Sequence, residues 1–307
     1  MSATVTTASP APVPQDRLEL PNITLGRIVG LLTSTNGIAA VAFVALLLVS
    51  FWPWVSELPH DWFKQDSYVQ HGFLVPFASL YIGWLAWKKN RDLLPLRPTF
   101  WPAALLIPCS LVNALVMRSG FTTLSAILLV ICGGCGVWAA MGGKWLVKMT
   151  PALAFLSMTF SLWGEYLDQM TLSAQTISSK VAVHGLSLVG LLPKSSPDDP
   201  NLIYLPHYEM NIGAACSGLK MTLAVLTCAI FIVIVGRLRW WANAILLVAV
   251  VPMALLFNSL RIGLIGVFGE FMGPRAGTLM HDFGSYGILF LAFFSLYRLA
   301  RALGWKV

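Results

Sequence analysis

Long apolar segments alternate with short polar ones along most of the chain. The apolar segments lie at about residues 32–53, 72–87, 101–117, 121–141, 147–164, 216–236, 240–260 and 283–300. Segments such as 38–51 and 242–257 are apolar on every face, without the alternation of a membrane β-strand. A helix needs roughly 20 apolar residues to cross a bilayer. The pattern therefore predicts an all-α, polytopic transmembrane bundle of about eight spans.

The composition agrees with a lipid environment. The chain has 307 residues, of which 57% are hydrophobic and 11% are charged, and its mean hydropathy is +0.75. Soluble domains are about a quarter charged. A chain with so little charge could not cover its apolar surface in water, so the composition excludes an ordinary soluble domain.

The basic residues predict an orientation in the membrane. The net charge is +7, and the positive side chains stand in short runs between apolar segments, such as Lys88–Arg91 and Arg237–Arg239. With the N-terminus inside, 13 of the 20 Lys and Arg residues fall in cytoplasmic segments. We therefore expect an N-in, C-in topology in the cell inner membrane. The same distribution explains the charge without a nucleic-acid partner.

The remaining segments fit less simply. Residues 1–25 are rich in Ser, Thr, Ala and Pro and predict a disordered cytoplasmic tail, followed by one transmembrane domain over 26–307. Residues 168–192 are amphipathic and then apolar, so they could lie along the interface, dip in as a re-entrant element or form a short span. Residues 240–272 exceed one upright helix and either bend at Pro252 or continue past Arg261. Asp198 and Asp199, among prolines, predict an exposed loop.

Three reactive side chains come to the outer face in this topology. Cys216 begins the sixth span, Arg261 ends the seventh and His281 precedes the eighth. An ionisable group at membrane depth is costly, so Arg261 within an apolar run is by default a candidate functional residue. Taken singly, each has a simpler explanation as a packing cysteine, an arginine that reaches the headgroups or a surface histidine.

Together these residues could perform nucleophilic acyl transfer. A thiolate at Cys216 would be favoured by a helix N-terminus and by the nearby cations Lys220, Arg261 and His281. His281 could take the proton from the Cys216 thiol and then give it to a leaving amine. Arg261 could stabilise the oxyanion, with the Ser217 N–H as a second donor.

Other possible sites are weaker. Cys132 and Cys135 have the spacing of a redox dithiol, but they lie in the middle of a span, where close helix packing explains them. The five histidines show no metal-ligand spacing, and the chain has no phosphate-binding or serine hydrolase motif. The sequence thus indicates no metal and no cofactor. The segment with Tyr68 and His71 is either an interfacial anchor or a wall of a substrate site.

These motifs resemble the exosortase/archaeosortase family of integral membrane cysteine transpeptidases. The matching pieces are Tyr68–Pro76, Ala215–Leu219, Asn258–Ile262 and His281, in the order that the family has. The resemblance covers roughly residues 50–300. The chain departs from the family in Ala214, where an acidic residue is frequent, and in Lys220, where an arginine is frequent. These departures leave the subfamily and the recognised signal open.

The resemblance implies a catalytic triad of Cys216, Arg261 and His281. It also implies a substrate class, which is secreted proteins with a C-terminal sorting signal made of a short Pro-containing motif, a transmembrane helix and a basic tail. Cleavage would pass through a thioester on the periplasmic face of the membrane, and the acceptor, the exact motif and the oligomeric state stay open. Substrate contacts are expected from Tyr68, His71, Ser217, Lys220, Asn258 and Asp282.

Two other functions compete with this interpretation. A non-enzymatic transporter or assembly subunit for an envelope polymer would use Arg261 to line a path and would tolerate loss of Cys216. A membrane thiol oxidoreductase would use Cys132 and Cys135 instead.

Overall fold

The chain divides into two compact units, which we describe separately. The structure is a computed structural model that describes residues 35–64, 67–94, 96–99, 101–119, 122–160, 164–199, 201–213 and 218–305. In the first unit, Met1–Ala45, the described residues form the start of helix α1 (Thr35–Val55). The second unit, Leu46–Val307, holds the other described elements. The predicted tail over residues 1–25 lies outside the described residues.

Helices make up most of the second unit. After α1 come α2 (Leu58–Phe63), α3 (Val75–Lys89), α4 (Leu106–Ser119), α5 (Thr122–Met141), α6 (Gly143–Leu156), α7 (Gly164–Leu188), α8 (Leu219–Gly236), α9 (Trp240–Met272), α10 (Pro274–Leu279) and α11 (Ser285–Ala302). Short 3-10 helices lie at Gln70–Leu74, Arg91–Leu93, Trp101–Leu105 and Ser157–Thr159, and a π-helical turn at Met280–Gly284. Proline opens α2, α3 and α10, where its missing N–H would have no helical partner.

The protein is a polytopic helical membrane protein. Within the described residues, six stretches are long and apolar enough to cross a bilayer: Val41–Phe63, Trp101–Ser119, Thr123–Met141, Leu219–Gly236, Trp240–Met272 and Pro274–Ala302. Their outer faces carry large apolar side chains, and Val49, Val248 and Phe290 are each more than 70% exposed. An apolar surface this extensive suits lipid rather than water.

Two of the eight predicted spans are not among these six stretches of the described residues. Residues 75–87 of the predicted span 72–87 lie in α3, and residues 147–156 of the predicted span 147–164 lie in α6; these helices have 15 and 14 residues. At 1.5 Å per residue such helices are about 22 Å long, shorter than the roughly 30 Å hydrocarbon core. Their apolar residues Val75, Ile82 and Phe155 pack together and against Phe231 of α8. The count of eight and the N-in, C-in orientation stay predictions.

Helix α9 is longer than the seventh predicted span. It runs without interruption over 33 residues, through Pro252 and for 11 residues beyond Arg261. Of the two alternatives that the sequence left open, the chain continues past Arg261 as the same helix. Arg261 therefore lies inside a helix, not at its end.

The main apolar core joins α8, α9 and α11. Val225 and Ala229 of α8, Leu246 of α9, and Ala292 and Leu296 of α11 are all fully buried in this cluster. The alanines let neighbouring helices approach closely, which is how helices associate where no water drives them together. This core holds α9 beside the helix that follows the His281 turn.

A small sheet qualifies the all-α prediction. Strands β1 (Lys194–Ser195), β2 (Leu202–Tyr204) and β3 (Glu209–Asn211) form an antiparallel sheet in the order β1-β2-β3. The sequence predicted only an exposed loop at Asp198 and Asp199, and these residues do lie between β1 and β2. Asp199 accepts a hydrogen bond from the Asn201 N–H, which turns the chain back into β2.

Helix α7 packs against the apolar face of this sheet. Ala182 of α7, Ile203 of β2, Met210 of β3 and Ile262 of α9 form one buried cluster. The sheet is too small to be stable alone, so its apolar face depends on the two helices. Most of the segment that the sequence left ambiguous, 168–192, thus belongs to the 25-residue helix α7, which packs on α9. This helix is not among the six candidate spans of the described chain.

Candidate active site

Arg261 and His281 come together at the junction of α9 with the following turn. The Arg261 Nη2 atom donates to the backbone carbonyl of His281 at 3.5 Å, across 20 residues of sequence. The Nε atom of Arg261 is buried and has no hydrogen-bond partner among the described residues. A guanidinium carries five N–H donors in a fixed fork, so most of them remain for other acceptors.

His281 lies on a turn that departs from regular helix. The π-helical turn Met280–Gly284 connects α10 with α11, and the Ser285 hydroxyl donates to the same His281 carbonyl. The imidazole Nδ1 is 3.0 Å from the Asp282 carboxylate oxygen Oδ1. Turns of this kind recur at functional sites because the extra residue redirects side chains. Here the carboxylate fixes the imidazole through one ring nitrogen.

The N-terminus of α8 rests directly on Asn258. Gly218 caps α8 with φ at +81°, a conformation that favours glycine. A Cβ atom there would also lie 3.0 Å from the Cγ and Nδ2 atoms of Asn258, so the close approach needs glycine as well. Asn258 is fully buried and stands one helical turn before Arg261. The beginning of α8 is therefore held beside the Arg261 face of α9.

The described part of the chain does not include all predicted site residues. Cys216 and Ser217 lie outside the described residues, immediately before Gly218. Lys220 lies half-buried in the first turn of α8. The structure thus brings Arg261, His281, Asp282, Asn258 and the start of α8 into one region.

A cavity of about 280 Å³ adjoins His281. One wall is the five consecutive residues 208–212, which include β3. The other walls are Ile262 and Ile265 of α9 and, from α10 and its following turn, Gly277, Thr278 and His281. The cavity is smaller than typical cofactor sites, which measure roughly 300–1,000 Å³.

The hairpin that forms this wall is anchored to the end of α9. The Glu270 carboxylate accepts hydrogen bonds from the His207 backbone N–H at 3.0 Å and from its imidazole Nδ1 at 2.7 Å. The Tyr208 ring fills a notch between Gly269 and Gly277, where an added Cβ would lie 2.3 and 2.6 Å from its atoms. Burial raises the pKa of the Tyr208 phenol above its usual value.

Helix α7 carries a polar stripe that sequence reasoning missed. Thr171 Oγ1 is 2.9 Å from the Tyr68 hydroxyl, and Gln175 Nε2 donates to the Ile212 carbonyl at 3.2 Å. One turn further, the Ser179 hydroxyl donates to Asn201 Oδ1 at 3.1 Å. The spacing of four residues between these polar positions was the available signal. The stripe holds the segment that leads into Cys216.

Tyr68 and His71 are not among the residues that line the cavity. The Tyr68 hydroxyl lies 2.9 Å from Thr171 Oγ1 of α7. Burial lowers the pKa of the His71 imidazole to about 4, and its Nδ1 has no partner in the described chain. Their role in binding substrate stays a prediction.

The competing dithiol is closed off. Cys132 and Cys135 on α5 are 0% and 7% exposed, and both are free thiols. A Cβ atom added at Gly133 or Gly134, which lie between them, would meet Leu146 or Leu153 of α6 at ordinary van der Waals distances of 3.5–3.7 Å. This environment is that of close helix packing.

Comparison with known proteins gives the family. The family model described as Transmembrane exosortase matches residues 62–298, which include Arg261, His281 and the segment around Cys216. No curated protein and no solved structure matches the chain. Because the match covers more than half of the chain, this protein belongs to the transmembrane exosortase family.

Proposed function

We propose that the protein is a membrane-embedded cysteine peptidase or transpeptidase that cleaves the C-terminal sorting signals of secreted proteins. The observation that carries this proposal is the contact of Arg261 with the His281 turn, beside a cavity of about 280 Å³ with a wall, residues 208–212, that lies four residues before Cys216 in the sequence. Gly218 follows Cys216 by two residues, so their Cα atoms are at most about 7 Å apart by chain geometry alone. That distance is compatible with a thiol that acts together with Arg261 and His281.

The first step is attack of the Cys216 thiolate on the scissile carbonyl. His281 takes the thiol proton, and the negative oxygen of the tetrahedral intermediate is stabilised by the Arg261 guanidinium. Asp282 orients the imidazole through Nδ1, and Nε2 is then the ring nitrogen that transfers the proton. Asp282 was expected to contact substrate, and its position supports a role in positioning His281.

The second step breaks the peptide bond. The imidazolium returns its proton to the leaving amine, the C–N bond breaks and the acyl group stays on Cys216 as a thioester. An acceptor amine or water then attacks the thioester and releases the thiol. A substrate anchored by its own transmembrane helix would bring the scissile bond to the outer headgroup level, where proximity replaces three-dimensional search.

The proposal is tested with Cys216→Ala in a strain whose native copy is replaced. We expect precursors that keep their C-terminal segments to accumulate, as measured by mass-spectrometric mapping of protein C-termini, while membrane insertion stays normal. The matched control is Cys228→Ala, a half-buried thiol on α8, which should process normally. An acyl adduct on Cys216 that hydroxylamine removes would identify the thioester.

Undiminished processing by Cys216→Ala would reject the cysteine mechanism. That result would favour the transporter or assembly function, which needs no thiol.

A further inference from the structure

Strand β3 has one edge that no strand of the described residues pairs, where the Asn211 carbonyl accepts a hydrogen bond from the Gly213 N–H at 3.1 Å. It is the terminal strand of the sheet in the described part of the chain. The N–H of Ile212 donates to the carbonyl of Asn201 and that of Leu205 to the carbonyl of Tyr208, which fixes the alternation of the ladder. Antiparallel pairs alternate between bonded and non-bonded residues. The backbone N–H groups of Glu209 and Asn211 therefore point away from β2.

The cavity lies along that edge. A cavity under one face of a strand would be lined by alternate residues, because successive side chains point to opposite faces. Here the residues 208–212 line it without a gap, and none of its lining residues belongs to β2. Met210 is buried while Glu209 and Asn211 are exposed, so the cavity reaches both faces of β3. One cavity can contact both faces of β3 only around the edge that does not pair with β2.

We propose that an extended segment of the protein substrate adds to the outer edge of β3 as a fourth strand, inside this cavity. The inference rests on the proposed function, which requires a peptide substrate. The opposite wall of the cavity carries His281, the expected acid and base. The main-chain groups of the strand give affinity that does not depend on sequence, while alternate side chains of the substrate meet the walls.

The position of β3 in the chain favours a substrate as the occupant. Asn211 precedes Cys216 by five residues, so a peptide paired with β3 lies beside the chain that leads to the nucleophile. The opposite edge of the sheet, at β1, is formed by the exposed Ser195 and does not line the cavity. The two edges have the same backbone chemistry, so only their neighbours distinguish them.

This difference provides a matched pair of proline variants. The Ser196 backbone N–H donates to the Leu202 carbonyl, so the register places the Ser195 N–H on the outer edge of β1. The Asn211 N–H has the same position on β3. Proline removes the N–H and is tolerated where that group points out of the sheet. Asn211→Pro should lower the processed fraction of precursor by roughly tenfold, since the substrate loses one main-chain partner. Ser195→Pro should process as the parent does.

A second variant tests the Asn211 side chain independently of its backbone N–H. Asn211→Ala keeps the donor, so it should lower processing by no more than about twofold. Equal processing by Asn211→Pro and Ser195→Pro, with Cys216→Ala blocked, would overturn strand addition and leave the cysteine mechanism intact. Processing by Cys216→Ala would instead overturn the proposed function itself.

Photo-crosslinking decides the matter if Asn211→Pro does not accumulate in the membrane. The probe is p-benzoylphenylalanine in place of Glu209, in the Cys216→Ala chain, with the precursor that accumulates in that strain. Irradiation should join the chain to this precursor, whereas the same probe in place of Ser195 should not. Equal or absent crosslinking at both positions would overturn the proposal.

Discussion

Two regions of the molecule hold reactive side chains in opposite ways. Around Cys132 and Cys135, α5 is a regular helix and both thiols are buried. Around Arg261, a buried Nε lacks a partner among the described residues, His281 lies on a π-helical turn and a cavity of about 280 Å³ remains open. A close-packed interior has few such spaces. Irregularity and open space, more than residue type, distinguish the candidate site from the dithiol.

Arg261→Lys should have a greater effect on precursor processing than the variants that follow. Lysine keeps the charge but loses the planar fork, so processing should fall about a hundredfold, as on removal of an oxyanion donor. The measurement is the ratio of processed to unprocessed precursor at equal amounts of membrane-inserted protein. Arg239→Lys, at the exposed N-cap of the same helix, is the control and should change little. Parent-like processing by Arg261→Lys would remove arginine from the mechanism.

The second prediction concerns the notch that holds the hairpin. Gly269→Ala puts a methyl group 2.3 Å from the Tyr208 ring, so the hairpin must move, and we expect a loss of about 2 kcal/mol in unfolding free energy. Gly263→Ala on the same helix meets no atom within 4 Å and should not destabilise the protein. Thermal unfolding of the detergent-purified protein gives both values. Equal stability of the two variants would show that the notch does not anchor the hairpin.

The third prediction tests whether Cys132 and Cys135 take part in the function. Cys132→Ala removes one buried sulfur, so stability should fall by about 1 kcal/mol while processing changes less than twofold. A membrane-impermeant maleimide applied to intact cells should leave Cys132 and Cys135 unlabelled. Loss of processing in Cys132→Ala would instead support the thiol oxidoreductase.

The last prediction is a pH dependence of stability from His71. Its imidazole has a pKa of about 4 in the folded protein because of burial, whereas the ordinary value is 6.5. Between pH 6.5 and 4 the unfolded chain binds the proton and the folded chain does not, so stability falls as the pH is lowered through this window. His71→Gln should reduce that slope of the melting temperature. An unchanged slope in His71→Gln would contradict this origin of the pH dependence.

The sequence predicts the helices and the meeting of Arg261 with His281, because both follow from long apolar segments and the order of their ends. It does not predict the sheet, since strands of two or three residues carry almost no pattern. It also leaves α7 ambiguous, because Thr171, Gln175 and Ser179 are polar yet contact other protein groups instead of water. Their partners are distant in sequence, so local pattern could not identify them.

The uninterrupted course of α9 sets a height for the chemistry. The 21 steps from Trp240 to Arg261 measure about 31 Å of helix, close to the thickness of the hydrocarbon core. A bilayer span that begins at Trp240 would therefore end near Arg261, and the 11 residues that follow would extend beyond the hydrocarbon core. Under the proposed function, a bilayer of different thickness would change the depth at which a scissile bond meets the Arg261 guanidinium.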